Sequence, residues 1–285
     1  EAAAVFTPAA DDILHFPRGP SAGDCIHALF EAIDFTDPGT WDSAIAAALA
    51  AHPQMLPTAP KPGEAPLAAM LRSLLDAVLN TSLLPAPAER AADTRCGEEG
   101  RAELRLNTVA PARCLVELGF HLPAPRLRAT QLNAWLAAQG YGVPRLAFAD
   151  LDGYLKGFID LVFEHGGRFW VLDWKSNHLG DRPQDYAQAR LEAAMQAHGY
   201  HLQHLIYSVA LHRHLGRDRH QSQLPAGHPG QRLLLLTDQP GTPGRTVDRL
   251  RPDRDLQRLA AHPADAEPVV DPTRPFEAAK LREVR

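Results

Sequence analysis

Two apolar runs on either side of a Gly-Gly pair constrain this sequence more than any other feature. The first run, residues 157–163, is interrupted by Asp160, and the second, residues 168–175, carries Asp173. Both runs are rich in β-branched and aromatic residues, which are typical of strands. Gly166-Gly167 between them is a favoured two-residue hairpin turn. The sequence therefore predicts an antiparallel β-hairpin.

The register of this hairpin brings two acidic side chains together. If His165 faces Arg168, counting back along both strands sets Asp160 opposite Asp173, with Cβ atoms roughly 4.5–5.5 Å apart. Carboxylates placed in this way repel each other unless a cation neutralises them. Lys175 shares a strand face with Asp173. This pattern predicts an oxygen-ligand site for Mg²⁺ or Mn²⁺ rather than zinc; the alternative is a surface hairpin with solvated charges.

Charge and composition constrain the function less than the hairpin does. The formal net charge is −5, whereas nucleic-acid binders usually carry a basic surface, but acidic metal ligands add negative charge at a site. Only four of the 29 basic residues are Lys. The Lys ammonium is a compact point charge, whereas the Arg guanidinium is a planar group with forked donors. The rarity of Lys weakly favours a particular role for Lys175. The three cysteines have no CxxC spacing, so they predict neither a zinc nor an iron–sulfur site and favour a cytoplasmic setting.

The order of elements predicts an α+β fold: a small central mixed sheet flanked by helices, with a helical N-terminal extension over residues 1–110 and a core over 111–285. No signal peptide or membrane-spanning segment is predicted, and a first residue other than Met suggests a piece of a longer protein. Ser21 with Asp24 resembles a capping box. The histidines of one predicted long helix are interpreted as mostly solvated. The predicted helices are 22–34, 41–51, 67–79, 129–139, 185–215 and 253–261, and the strands are 114–122, 153–163, 168–174 and 232–237.

The hairpin also resembles a known pattern. Residues 157–160, followed by Asp173-Trp174-Lys175, are similar to the PD-(D/E)xK nuclease signature. The similarity is closer to the C-terminal nuclease domains of the RecB family, the helicase–nuclease subunits of bacterial RecBCD enzymes. It covers most of the chain, through residues 16–19, 27–31, 153–163, 172–180 and 194–213. The resemblance implies a restriction-endonuclease-like core.

The resemblance implies a metal site. Asp160 and Asp173 would hold the ion with the backbone carbonyl of Trp174, where the family usually has Tyr, and His27 would add an imidazole from the N-terminal helix. Lys175 would stabilise charge on the phosphorane or position the attacking water. Without the resemblance, a lone helical histidine is more often a surface residue.

Three further residues match family positions. Gln203 and Tyr207 fit a Gln-x-x-x-Tyr motif, lie on one helical face, and would contact DNA or organise the site; the alternative is a pair of polar tips on a packed helix. Glu117 matches an acidic family position. A catalytic residue and a solvated charge on a strand are equally good interpretations of it. Residues 236–239 depart from the family's Arg-Gly turn.

The function that the resemblance implies is Mg²⁺-dependent hydrolysis of DNA, as in exodeoxyribonuclease V, with Mn²⁺ as a substitute and Ca²⁺ as a non-catalytic ligand. The full-length protein would act in double-strand break repair, with RecC- and RecD-like subunits and DNA ends as partners and no membrane. One alternative is a catalytically silent docking module. A stand-alone phage-type or CRISPR-associated exonuclease fits less well, and the CRISPR-associated kind needs four cluster cysteines where this chain has three.

Overall fold

The described N-terminal residues form three α-helices. The computed structural model describes residues 8–54, 66–83, 104–141, 143–165, 168–218 and 233–236. Within these residues the helices are α1 (Pro20–Ala32), α2 (Trp41–Ala51) and α3 (Leu67–Asn80). Each buries one apolar side, and the three sides meet in a common core. The predicted helical N-terminal region is confirmed.

The start of α1 differs from the prediction. The helix begins at Pro20, whose fixed φ suits the first helical position, and Gly19 precedes it with φ 116°. Ser21 therefore lies inside the first turn, and the capping box predicted for Ser21 and Asp24 is wrong. A positive φ at Gly19 is available to glycine without steric strain.

Within the described part of the chain, the sheet has four strands in the order β1-β2-β3-β4. The strands are β1 (Cys114–Leu127), β2 (Leu151–His165), β3 (Arg168–Trp174) and β4 (Leu233–Leu236). β2 pairs antiparallel with both β1 and β3, and β3 pairs parallel with β4. The α+β class with a small mixed sheet is confirmed.

The register of β2 and β3 is the one predicted from the sequence. Five pairs are formed, from His165–Arg168 to Leu161–Leu172, and one further step in this register sets Asp160 opposite Asp173. The turn predicted at Gly166-Gly167 lies outside the described residues.

The two faces of the sheet pack against different helices. One face joins α1–α3 in a single core through Leu161, Phe163, Trp170, Leu172 and Trp174. The other face packs on a C-terminal helix through Ile159, Val162 and Val171. The expected extension over residues 1–110 and the expected nuclease core over 111–285 therefore share one hydrophobic core.

The C-terminal helical region is divided. Three helices of the described part are α4 (Ala129–Ala138), α5 (Gln188–Ala197) and α6 (Tyr200–Asp218), with a 3₁₀ turn at Pro183–Tyr186. The predicted single helix over 185–215 is wrong, because Gly199 adopts φ 67° between α5 and α6, and this left-handed conformation ends a helix. The helix predicted at 253–261 lies outside the described residues, and no described helix is long and apolar enough to cross a membrane.

Candidate metal-dependent active site

Two acidic residues occupy an interruption in the β1–β2 ladder. Within the described strands, pairing passes from Val116–Leu161 to Leu118–Ile159 and leaves out Glu117 and Asp160. Glu117 has φ 52°, a conformation that costs a non-glycine residue about 1–3 kcal/mol. The apolar side chains of β2 also change face here, since Ile159 packs towards α6 and Leu161 towards α1–α3.

Asp160 joins three elements at this interruption. Its Oδ2 accepts a hydrogen bond from the backbone N–H of Trp174 at 2.7 Å and lies 3.7 Å from Nδ1 of His27 on α1. Burial, reinforced by the negative charge of Asp173, raises the pKa of Asp160 to about 7, although the Trp174 N–H and the Lys175 ammonium act in the opposite direction. A carboxylate so situated gains stability from a nearby cation.

Asp173 is almost fully buried and is held at both oxygens. Its Oδ1 accepts hydrogen bonds from Nε2 of Gln203 at 3.1 Å and from the hydroxyl of Tyr207 at 3.4 Å. Its Oδ2 lies against the ammonium of Lys175. Gln203 also donates to the Tyr207 hydroxyl at 2.7 Å. The predicted helical pair thus contacts the predicted acid directly, from α6.

Lys175 is held over an aromatic ring. Its Nζ lies 4.8 Å from the ring centroid of Tyr200, a distance at which a cation is attracted to the π face. The Tyr200 hydroxyl donates to Oδ1 of Asn177 at 2.8 Å. Tyr200 is therefore a support for the lysine to which the sequence argument assigned no role.

His27 faces the acids from the middle of α1. Burial lowers the pKa of its imidazole; the charge of Asp173 counteracts this effect, and that of Lys175 adds to it. A lowered pKa keeps the ring neutral near pH 7, the form that can ligate a metal. The structure thus brings His27, Asp160, Asp173 and Lys175 to one place.

Glu31 is a site residue that the sequence argument missed. Burial, the negative charge of Glu117 and a hydrogen bond between the two carboxyls raise the pKa of Glu31 to about 7. Glu31 follows His27 by four residues and so lies on the same helical face. That spacing is the signal by which the residue could have been found.

Trp174 has a structural role besides its backbone. Its indole stacks on Phe30 of α1, with ring centroids 3.9 Å apart and an angle of 13° between the planes. Both rings are buried. The tryptophan that stands where the resembled family has tyrosine therefore fixes the end of β3 to the helix that carries His27.

The fold and the site together define a class of nuclease. A family model for the PD-(D/E)XK nuclease superfamily matches residues 12–283, and the chain belongs to this superfamily. Nucleases of this superfamily generally use divalent metal ions.

Curated relatives point to a particular kind of nuclease domain. The chain is 36% identical over 206 residues to the RecBCD enzyme subunit RecB of Escherichia coli strain K12, which is 70% of this chain and 15% of that protein. It is 34% identical over 246 residues to RecB of Mycobacterium tuberculosis strain CDC 1551 / Oshkosh, which is 77% of this chain and 20% of that protein. RecB of Haemophilus influenzae strain ATCC 51907 is 30% identical over 208 residues, which is 72% of this chain and 15% of that protein. The chain thus spans about a fifth or less of these relatives.

The donor set fits a divalent cation, although it is not arranged around one. In the described part of the chain, no three His, Cys, Asp or Glu side chains form a ready coordination group. Instead, the Lys175 ammonium lies against Asp173 and the Trp174 N–H binds Asp160. Carboxylates with one imidazole suit Mg²⁺ or Mn²⁺. The raised pKa of Asp160 shows that burial and the charge of Asp173 destabilise its ionised form, which a bound cation would stabilise. A cation could bind Oδ2 of Asp173 only if the Lys175 ammonium first moved away from that oxygen.

Proposed function

We propose that this chain is the DNA-hydrolysing module of a RecB-like helicase–nuclease. The observation that carries the proposal is the pair of acids formed by the partly buried Asp160 and the buried Asp173, with Lys175 against the second. Membership of a nuclease superfamily supports the reaction class, and the similarity to RecB proteins supports the kind of enzyme.

The proposed metal ligands are His27, Asp160, Asp173 and the backbone carbonyl of Trp174, with Mg²⁺ as the working ion and Mn²⁺ as a substitute. A divalent cation held there would polarise the phosphoryl oxygens and lower the pKa of bound water. Glu117 contributes negative charge beside Asp160, which favours cation binding at the same place.

The other side chains position the proposed ligands and neutralise charge on the phosphate. Lys175, once released from Asp173, carries a compact positive charge that can neutralise the phosphate oxygens as negative charge develops on them. Gln203 and Tyr207 keep Oδ1 of Asp173 in place by donating to it. A neutral Tyr207 is needed for this role, and burial raises its pKa well above the usual range.

The larger context is also part of the proposal. Since the chain covers about a fifth or less of the RecB relatives, helicase activity and docking to RecC- and RecD-like subunits belong to the full-length protein. DNA ends would be the substrate, in recombinational repair of double-strand breaks and degradation of linear DNA.

The test is cleavage of labelled single-stranded DNA by the purified chain with Mg²⁺ and with chelator. We expect Asp173→Ala to abolish metal-dependent cleavage, and Asp76→Ala, which removes an exposed acid on α3, to leave it unchanged. Full activity in Asp173→Ala would defeat the proposal. Calorimetric titration with Mn²⁺ separates the alternative, a catalytically silent docking module, because that module should show no binding that depends on Asp160.

A further inference from the structure

The face of the β1–β2 hairpin that carries Glu117 and Asp160 continues beyond them as an exposed surface. The next cross-strand pairs are Gly119–Phe158, His121–Lys156 and Pro123–Tyr154. Side chains alternate along a strand, so these pairs share a face. We name this surface the hairpin strip, defined by His121, Tyr154, Lys156 and Phe158.

The hairpin strip faces away from α6. The alternate residues of the same strands pack with α6 on the opposite face, among them Leu118, Phe120, Leu122, Leu155 and Ile159. Gly157 shows how closely that other face is packed, since a Cβ there would lie 2.7 Å from Cζ of Phe120. The opposite side of the hairpin is fixed on α6, whereas His121, Tyr154 and Lys156 of the strip are exposed.

The exposed residues of the strip have a particular chemistry. Tyr154 is 51% exposed, the most exposed of the large hydrophobic side chains that the structure describes. Lys156 and His121 are exposed beside it. Phe158 is half-buried, and its ring lies across Gly119, where an added Cβ would be 3.3 Å from Cε1 of that ring.

The strip leads directly to the proposed catalytic residues. Phe158 and Gly119 each stand two residues from an acid of the site, about 6.6 Å along an extended strand. Lys156 is one of only four lysines in a chain whose formal net charge is −5. At its far end the strip is bounded by Asp152, an exposed acid. The rings of Tyr154 and Phe158 and the ammonium of Lys156 therefore lie between Asp152 at one end of the strip and Asp160 at the other.

We propose that the hairpin strip binds single-stranded DNA and delivers it to the acids at Asp160. Aromatic platforms combined with cations are the means by which proteins hold single strands without reading sequence. A base can stack on Tyr154 only if it is unstacked from its neighbours, which favours a single strand over a duplex, and Lys156 is placed to pair with a phosphate. This inference rests on the proposed nuclease function and specifies the surface that holds its substrate.

The binding test uses the 285-residue chain with fluorescent oligothymidylate in chelator, where no metal-dependent cleavage interferes. We expect Tyr154→Ala to weaken binding at least about fivefold, the lower end of the range for loss of one stacked base. With an abasic oligonucleotide of equal length this difference should vanish. Lys156→Gln should weaken binding to both oligonucleotides and reduce the salt dependence by about 0.7 in log–log slope.

A matched control lies on the same hairpin. Arg113 stands on the other side of the acids and pairs with Glu164 at 2.7 Å, so Arg113→Gln removes a cation outside the strip and should bind oligothymidylate like the parent chain. Circular dichroism of each variant confirms that folding is retained, which is expected because Tyr154 and Lys156 are exposed.

The outcomes separate this inference from the proposed function. If Tyr154→Ala and Lys156→Gln bind oligothymidylate as tightly as the parent, the strip does not hold DNA and this inference fails. Equal losses on single strands and duplexes would overturn the single-strand assignment. If the strip variants bind weakly and the parent chain shows no metal-dependent cleavage, the strip stands and the nuclease proposal fails.

Discussion

The ammonium of Lys175 lies against Oδ2 of Asp173, an oxygen that the proposed metal also requires. In the proposed mechanism, metal and lysine would therefore compete for one carboxylate before acting on the same phosphate. We expect Lys175→Met to bind Mn²⁺ at least as tightly as the parent chain, while cleavage falls about 10²–10³-fold through loss of transition-state stabilisation. Calorimetry measures the first quantity and single-turnover cleavage the second.

Weaker metal binding by Lys175→Met would contradict this competition, because it would mean that the ammonium chiefly holds Asp173 in place. Arg113→Gln provides the comparison, since it removes one positive charge from an exposed ion pair at the other side of the hairpin.

The pKa of Asp160 predicts how stability depends on pH. Because its folded pKa, about 7, exceeds the ordinary 3.8, the folded chain retains a proton that the unfolded chain has lost. The free energy of unfolding of the metal-free chain should therefore fall as pH rises from about 4 to about 7. Glu31, raised from 4.5 to about 7, adds to this fall in the same window.

Urea unfolding at a series of pH values in chelator measures this effect. Asp160→Asn should flatten part of the slope and the double variant with Glu31→Gln should flatten most of it. Saturating Mg²⁺ should reduce the slope in the parent chain, because the cation favours the ionised carboxylate. An unchanged slope in the double variant would show that other groups govern the pH dependence.

The stacking of Trp174 on Phe30 predicts a graded response to substitution. Trp174→Tyr keeps a ring on Phe30 and should cost less than about 2 kcal/mol, with cleavage retained because the proposed ligand is the backbone carbonyl. Trp174→Ala should cost about 3–5 kcal/mol and also lower cleavage, since the end of β3 is no longer fixed to α1. Thermal or urea unfolding and cleavage rates test both.

Trp170 is the matched position for this comparison. It is buried on the same face of β3 and stacks on Phe163, but it is four residues from Trp174 and has no proposed ligand role. Trp170→Ala should lose similar stability while retaining cleavage at a temperature where it is folded. Equal loss of cleavage in both alanine variants would assign the effect to stability alone.

Local patterns predicted the hairpin well, and long-range contacts account for what was missed. The pairing of β2 and β3 follows from strand alternation and from His165 facing Arg168, which are short-range features. The break at Gly199 was missed because the helical pattern of residues 185–215 continues on both sides of it.

The contact that brings Glu31 to the predicted Glu117 depends on segments that are far apart in the chain. Glu31 and Glu117 are brought together only when α1 docks on β1, and no pattern within either segment requires it. The sequence predicts a solvated His204, but this residue is fully buried on α6, because the face of that helix towards the sheet includes it. The domain boundary and the chemical roles of the site residues remain predictions.

The shared hydrophobic core of α1–α3 and the sheet has a consequence for when the chain could first act on DNA. On the proposed ligand set, His27 reaches the acids only after α1 has packed on β2 and β3. A nascent or partly unfolded chain would therefore lack a complete centre, even though its Asp160–Lys175 hairpin had formed. Cutting activity would then be an all-or-none property of the finished fold, which would protect cellular DNA from immature copies of the enzyme.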